Sequence, residues 1–389
     1  MAPFPSNRYG HPTAVEGLSL KGAAVTPLLI SSDSHAQVSH DAVKAHLASK
    51  FHDEYDGAVA TFQARMAKGA GRVNQAWQSD RKHEEAASSF RLRNMKRPGH
   101  SDGVARLADM DTDGVQQEVI YSEVSAFRYI RDLEVGQSEA TVAFNEALRE
   151  FGAADPTRLI VSYQIPIHDI DAAVTEVQRV IGLGAKSLQL PVFPPEVGLP
   201  DYYHERYDPL FAVIQETGLP ICCHIGLNTM LDGLVARDPT PGSAVMVPMT
   251  ALSVGEALGM WIMGGVFERF PALKVVFVEP GLGWIAWWLA ITDDMVTRQG
   301  YELPAISELP SFYFHRNVFV TFIDEHDALA AEELRARIGV ENMMWSSDYP
   351  HPVTSWPHSH QVVEETLGGL PAAERELVVA GNATRVWSL

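Results

Sequence analysis

The sequence predicts an α/β fold, a closed (β/α)8 barrel of the TIM type with a long insertion after its first strand lying over the C-terminal mouth. Three observations carry that expectation. Eight short apolar, β-branched runs recur along the chain, amphipathic helical patterns separate most of them, and 389 residues with 46% hydrophobic composition supply a large core. Strands that alternate with helices pair in parallel, and eight such units close into a barrel; an open doubly wound sheet is the alternative.

The runs, in order, are LLIS (28–31), QEVIYS (117–122), LIVSYQI (159–165), AKSLQL (185–190), PICCHI (220–225), KVVFVE (274–279), NVFVTF (317–322) and NMMWSS (342–347). Patterns such as DAAVTEVQRVIGLG (171–184) and LAAEELRARIG (329–339) read as helices that end at glycine. Two connections are long. Residues 36–115 join the first two strands and contain the charged, helical-looking stretch DRKHEEAASSFRLRNMKR (80–97), while residues 226–250 follow the fifth strand and hold RDPTPGSA. In a barrel both lie over the mouth, where loops select substrate. Residues 1–26 read as an N-terminal arm or oligomer contact, and 1–389 as one domain, expected to form a homodimer.

Thirty basic and 49 acidic residues leave a formal charge of −19. That field repels phosphate backbones and anionic lipid, so neither nucleic acid nor membrane is an expected partner, and a small molecule is. An anionic substrate is still permitted, because a bound cation dominates the potential inside a site. The only cysteines are adjacent, Cys222 and Cys223, and neighbours on a strand point to opposite faces. With no signal-like segment and no apolar run of spanning length, a cytoplasmic protein is expected.

Barrel enzymes place their chemistry at the C-terminal ends of strands. Those ends present Asp33 and His35 after the first run, His224 at the fifth, Glu279 at the sixth and Asp348 after the eighth. A lone Asp in SSDSH is ordinarily a turn or cap residue, and a lone histidine is ordinarily structural. Two imidazoles and three carboxylates at four strand ends of one barrel instead make a donor set for a borderline divalent metal.

LADMDTDGVQQEVIY (107–121), GGVFERFPALKVVFVEPGLGWIAWWL (264–289) and MMWSSDYPHPVTSWP (343–357) resemble hallmark segments of the amidohydrolase superfamily, in its branch related to aminocarboxymuconate-semialdehyde decarboxylase. The resemblance runs from about residue 104 to the C-terminus. It implies a metallo-barrel with ligands at Asp33, His35, His224, Glu279 and Asp348, holding one or two divalent transition-metal ions, zinc first and iron or manganese as alternatives. The first-strand motif of the family is often His-x-His, where this chain has Asp33, and many members carry histidine where Glu279 stands. Lys186 lies near the start of the fourth run, too early for a bridging lysine carbamate; if two ions bind, Asp33 or Glu279 is the bridging candidate.

That ligand set leads us to expect a metal-dependent hydrolase first, with an activated water attacking an ester, thioester or amide carbonyl and Asp348 taking its proton. Non-oxidative decarboxylation is the alternative within the branch, and a catalytically dead barrel kept as a binding scaffold is the alternative outside it. His351, just past Asp348, reads equally as a catalytic contact to substrate or as turn packing. His168 and His204 read as structural, and Trp284, Trp287 and Trp288 as packing or interface residues, with Trp284 nearest the pocket. Cys222-Cys223-His224 lacks a second pair at zinc-finger spacing, and GLGAKS (182–187) follows a helix where a nucleotide loop would follow a strand.

Overall fold

The structure, a computed structural model, describes residues 28–77, 94–226, 242–300 and 305–389. Its strands are β1 (Ile30–Ala36), β2 (Gln117–Ser122), β3 (Leu159–Gln164), β4 (Ser187–Gln189), β5 (Pro220–His224), β6 (Lys274–Val278), β7 (Val318–Phe322) and β8 (Met343–Trp345). They pair in sequence order, all in parallel. Helices on the outside cover them, so the inner strands are apolar on both faces; in KVVFV of β6 every residue after the lysine is buried. This is the predicted (β/α)8 barrel.

The helices start and stop where side chains can satisfy their open ends. Asp102 accepts from the Ala105 amide at the head of Gly103–Asp113, and Asp169 does the same for Ala172 at the head of Ile170–Gly182. Gly114 ends the first of these at φ 76°, a left-handed turn that a Cβ would disfavour. The segment 329–339 differs from the single helix expected. Ala331 is extended, and two helices, His326–Ala330 and Glu332–Ile338, take its place. Among the described residues, no helix is long and apolar enough to cross a membrane. The arm at 1–26, the stretch 80–93 and the segment 227–241 lie outside the described residues.

Barrel closure falls between β1 and β8 and is polar. The His35 amide donates to the Tyr349 carbonyl at 2.7 Å, the Asp348 amide to the Asp33 carbonyl at 3.1 Å, and the Ser347 amide to Ser31 Oγ at 2.8 Å. A bulge in β1 between Ser31 and Ser34 shifts the register against β2 by one residue, with Ser31 Oγ donating back to the Asp33 carbonyl at 2.7 Å. This corrects the expected end of the first strand. Asp33 and His35 do not follow it; they lie inside it, fully buried, because the seam pairs SSDSH with the chain after β8.

Behind β1 stands a buried ion pair. Arg106, from the helix Gly103–Asp113, donates through Nη1 to Glu118 Oε2 on β2 at 2.7 Å, through Nε to the Gly99 carbonyl at 2.8 Å, and through Nη2 to the His35 carbonyl. Ser34 Oγ shares Glu118 Oε2 at 3.2 Å, and the guanidinium lies 4.2 Å from the Tyr349 ring. Burial pushes the Glu118 carboxyl up, against the pull of Arg106. Removing one partner strands a buried charge. Arg106→Met is therefore expected to cost about 3 to 5 kcal/mol in urea unfolding, and Arg106→Met with Glu118→Met to recover part of it. A single-variant loss under about 1 kcal/mol would show that the pair does not hold β1 in place.

Candidate metal centre

The barrel brings together every strand-end residue singled out in the sequence. Asp33 and His35 point inward from β1, His224 ends β5, Glu279 follows β6, and Asp348 lies three residues past β8. Glu279 and Asp348 both have left-handed backbones, φ 64° and 50°. A side chain at such a φ costs about 1 to 3 kcal/mol, and such residues cluster at functional sites. The Glu279 amide is held by Thr321 Oγ1 at 2.8 Å, and that of Asp348 by the barrel seam.

His224 Nε2 lies 3.3 Å from Asp33 Oδ1 and 4.0 Å from Glu279 Oε2; His35 Nε2 lies 3.2 Å from Asp348 Oδ1 and 3.5 Å from Asp33 Oδ1. These atoms converge without bonding. Both Asp33 oxygens, both His35 ring nitrogens, His224 Nε2 and Asp348 Oδ2 are buried and have no hydrogen-bond partner. Buried polar atoms are ordinarily satisfied, so these orphans, among which His35 Nε2 and His224 Nε2 both approach Asp33 Oδ1, ask for a shared partner. Asp33, His35 and His224 each offer a donor atom within 4.8 Å of the others, as do His35, Asp348 and His351. Imidazole and carboxylate donors suit a borderline divalent ion.

The charges tell the same story. Burial alone would lower the His224 imidazole, yet Asp33 and then Glu279 raise it to about 9. Burial, followed by the nearby Asp348, pushes Glu279 up to about 8. His35 is lowered by burial and by the neighbouring His351. Protons here do the work that a cation would do better, since one divalent ion neutralises two carboxylates at once. Lys186 plays no part. Its Nζ donates to the Ser388 carbonyl at 2.7 Å, below the N-terminal end of β4.

His351 stands beside this cluster. Nδ1 meets Asp348 Oδ1 at 2.8 Å, Nε2 meets Glu123 Oε2 at 3.2 Å, and the ring lies 4.0 Å from that of His35. Against its partial burial, Asp348 and Glu123 raise its imidazole to about 11, which favours the imidazolium form. Glu123 also faces His100 Nε2 at 3.2 Å, and these two histidines hold its carboxyl far below the usual range despite burial. Sequence reading missed Glu123 and His100. Glu123 immediately follows QEVIYS, so the strand-end rule that found Glu279 could have found it. His100 carried no local signal.

The other candidates fall elsewhere. His204 Nδ1 accepts from the Arg206 amide at the head of a short 3-10 helix, and His168 is not among the pocket-lining side chains. Trp284 donates to the Pro280 carbonyl and does not line the pocket; Trp287 is exposed. Cys222 and Cys223 are free and buried in the barrel wall.

Above the cluster opens a cavity of about 290 Å³. Phe127, Leu190, Val192 and Ile225 give it apolar walls, and Arg128 and Gln189 add polar groups. That volume is at the lower end for ligand sites and suits a molecule of one ring.

A barrel with a buried imidazole–carboxylate centre at the C-terminal ends of β1, β5, β6 and β8 defines a class of metal-dependent enzymes. Residues 32–389 match the amidohydrolase family model, and the chain belongs to that family. Among curated relatives, γ-resorcylate decarboxylase of Polaromonas sp. is 23% identical over 299 residues, 73% of this chain and 86% of its own length. The crystal structure of 5-carboxyvanillate decarboxylase from Sphingomonas paucimobilis superposes with a TM-score of 0.67 at 21% identity, covering 93% of this chain and 99% of that one. Dihydroxybenzoic acid decarboxylase from Polaromonas sp., solved with manganese and the inhibitor 2-nitroresorcinol, gives 0.63 at 17% identity over 93% and 97%.

If these residues hold the ion, His224→Ala and Asp33→Ala should each purify with less than about a tenth of the wild-type metal while keeping the wild-type circular dichroism spectrum. A capping role for Asp33 predicts the opposite, a loss of about 0.5 to 2 kcal/mol with metal content intact. Elemental analysis of the two variants separates the readings.

Proposed function

We propose that this protein is a metal-dependent, non-oxidative decarboxylase of a small aromatic carboxylic acid. The relatives favour this alternative over the hydrolysis that the sequence alone put first, since those described above are named decarboxylases. One observation carries it: Asp348, whose Oδ2 is an unpartnered buried oxygen facing the cluster, is bonded through Oδ1 to the imidazolium of His351. A proton donor to carbon needs a supply of protons at a dry site, and that pair is one.

A divalent ion held by Asp33, His35, His224 and Asp348 would anchor the substrate's oxygens and withdraw electron density from the ring. Manganese is supported as its identity by the metal seen in similar structures, whereas the sequence had favoured zinc. The apolar walls formed by Phe127, Leu190, Val192 and Ile225 hold the ring and exclude water. Asp348 delivers a proton to the ring carbon that bears the carboxylate, His351 replenishes it, and the carbon–carbon bond breaks to release carbon dioxide. The balance is one proton in and one carbon dioxide out, with no oxidant. Glu123 and His100 hold His351 in its charged form and orientation. The donor-bearing strand ends are all occupied, which speaks against a dead scaffold. Glu279, partly exposed in the same cavity, is left to orient substrate or a second ion.

Manganese-loaded protein incubated in D2O with a panel of hydroxybenzoates should release carbon dioxide and leave one deuterium at the vacated ring position. Asp348→Asn, which keeps shape but cannot deliver the proton, should lower turnover at least about a hundredfold in fully metallated protein. Ester or amide cleavage by the loaded protein with no carbon dioxide from any acid in the panel would return the assignment to hydrolysis.

A further inference from the structure

The converging imidazoles and carboxylates come from the ends of β1, β5, β6 and β8, which leaves β2, β3 and β4 as one unbroken arc of the barrel. Gln189 is the last residue of β4, at the edge of that arc. Its backbone is fixed in the ladder. The Gln189 carbonyl accepts from the Ile165 amide at 3.1 Å, and the Leu190 amide donates to the Cys222 carbonyl at 3.1 Å. Gln189 lines the cavity yet is only 4% exposed. Among the described residues nothing bonds its amide, and Oε1 is buried. Gln164 stands beside it in register on β3, fully buried, with Nε2 donating to Ser122 Oγ at 3.1 Å and Oε1 likewise unpartnered. The two amides are neighbours that do not satisfy each other.

A leucine at position 189 would fill this wall without leaving polar atoms unpaired, so the amide is costly where it stands. A buried polar group without a partner calls for one that comes and goes. Water fills that role in the empty cavity. When a ring enters, the water leaves, and a group that cannot reproduce its hydrogen bonds binds worse. A hydroxyl donates and accepts as water does, and the amide offers both an oxygen and an NH2 group. A methyl offers nothing to either end. A second carboxylate fits less well, because the amide carries no charge to offset it and Glu123 and Glu279 already stand in the lining.

We propose that Gln189 is a specificity-determining residue that binds a neutral hydroxyl on the substrate's ring. The proposal rests on the decarboxylase reading for the ring and its carboxylate. β4 is four strands from β8 in a barrel of eight, so Gln189 meets the ring from across the site from Asp348. The hydroxyl it reads is therefore one at position 3 or 4 of the ring, since a hydroxyl at position 2 lies next to the carboxylate and within reach of the ion.

Equilibrium binding to manganese-loaded protein tests it without turnover, using 3- and 4-hydroxybenzoate, 3- and 4-methylbenzoate, isophthalate and terephthalate. A methyl matches a hydroxyl in size, so each pair isolates the hydrogen bond. At least one hydroxybenzoate should bind wild type about tenfold or more tightly than its methyl counterpart, the worth of a hydrogen bond whose partner is otherwise left unpaired. Gln189→Met, of similar shape and apolar, should reduce that ratio to less than about twofold while changing methylbenzoate affinity less than about threefold. Equal affinity of the hydroxyl and methyl acids for wild type needs no variant and would refute the subsite alone. An unchanged ratio in Gln189→Met would give the hydroxyl to another residue, and equal weakening of all the acids would make Gln189 a wall residue; either overturns the proposal. Should a dicarboxylate outbind both hydroxybenzoates, the subsite reads charge and the neutral assignment is wrong. Failure of every aromatic acid to bind would refute the decarboxylase reading with it.

Discussion

The seam that closes the barrel between β1 and β8 is the constraint on which the centre depends. Asp33 and Asp348 are more than three hundred residues apart in sequence, yet the Asp348 amide bonds directly to the Asp33 carbonyl. That bond and its neighbours at Ser31, Ser347, His35 and Tyr349 set where three donor side chains stand. The bulge at Ser31–Ser34 and the left-handed Asp348 are costs borne at this seam, and both re-aim side chains toward the same point. Arg106 then locks the outer face of β1 by taking up the His35 carbonyl and the buried Glu118 carboxylate. The precision of the centre comes from main chain and outer partners as much as from the donors themselves.

Electrostatically, the centre is assembled in layers of alternating sign. Two histidines and three carboxylates face each other in the interior, the imidazole of His351 stands outside Asp348, and Glu123 stands outside His351, where it also meets the ring of His100. Each charge is buried beside its opposite, which is the condition under which burying them is tolerable. The layering also explains how a chain of net charge −19 can serve an anionic ligand. The field that matters is the one inside a water-poor cavity, where near charges outweigh the distant surface and salt screens them little.

Much of this was legible in the sequence, and the failures have physical causes. Seven of the eight apolar runs overlay their strands within two residues at either end, because strands buried on both faces must be apolar and bounded. β1 was cut short because its second half is SSDSHA. A strand closing a barrel over a polar centre replaces apolar side chains with Ser31, Asp33, Ser34 and His35, and so stops looking like a strand where it matters most. Ala331 broke a helix that periodicity had run together, for its apolar spacing continues across the break. The residues that cluster at the barrel mouth could be picked out from strand ends, while Arg106 was invisible, since its partners lie on three separate segments. The kind of reaction was not legible at all. Hydrolysis and decarboxylation can share one donor set, so ligand spacing carries no information about which occurs.

What separates the two chemistries is the direction in which Asp348 must move a proton. A hydrolase needs this carboxylate as an acceptor that draws a proton from water as the water attacks. The imidazoles of His35 and His351 bear on it and, despite its burial, hold it below the usual carboxylate range, so it is a weak base. Its partner His351, half-buried and raised by Asp348 and Glu123, favours its charged form and is a poor acceptor for another proton. A base backed by a full acceptor is poorly placed to take protons, which counts against hydrolysis. The same two shifts keep Asp348 ionised and the proton on His351, so carbon protonation draws on that proton only once the ring carbon has become the stronger base. The Asp348–His351–Glu123 line is thus a proton store at the edge of the centre, and the metal-ligand pattern required neither Glu123 nor His351.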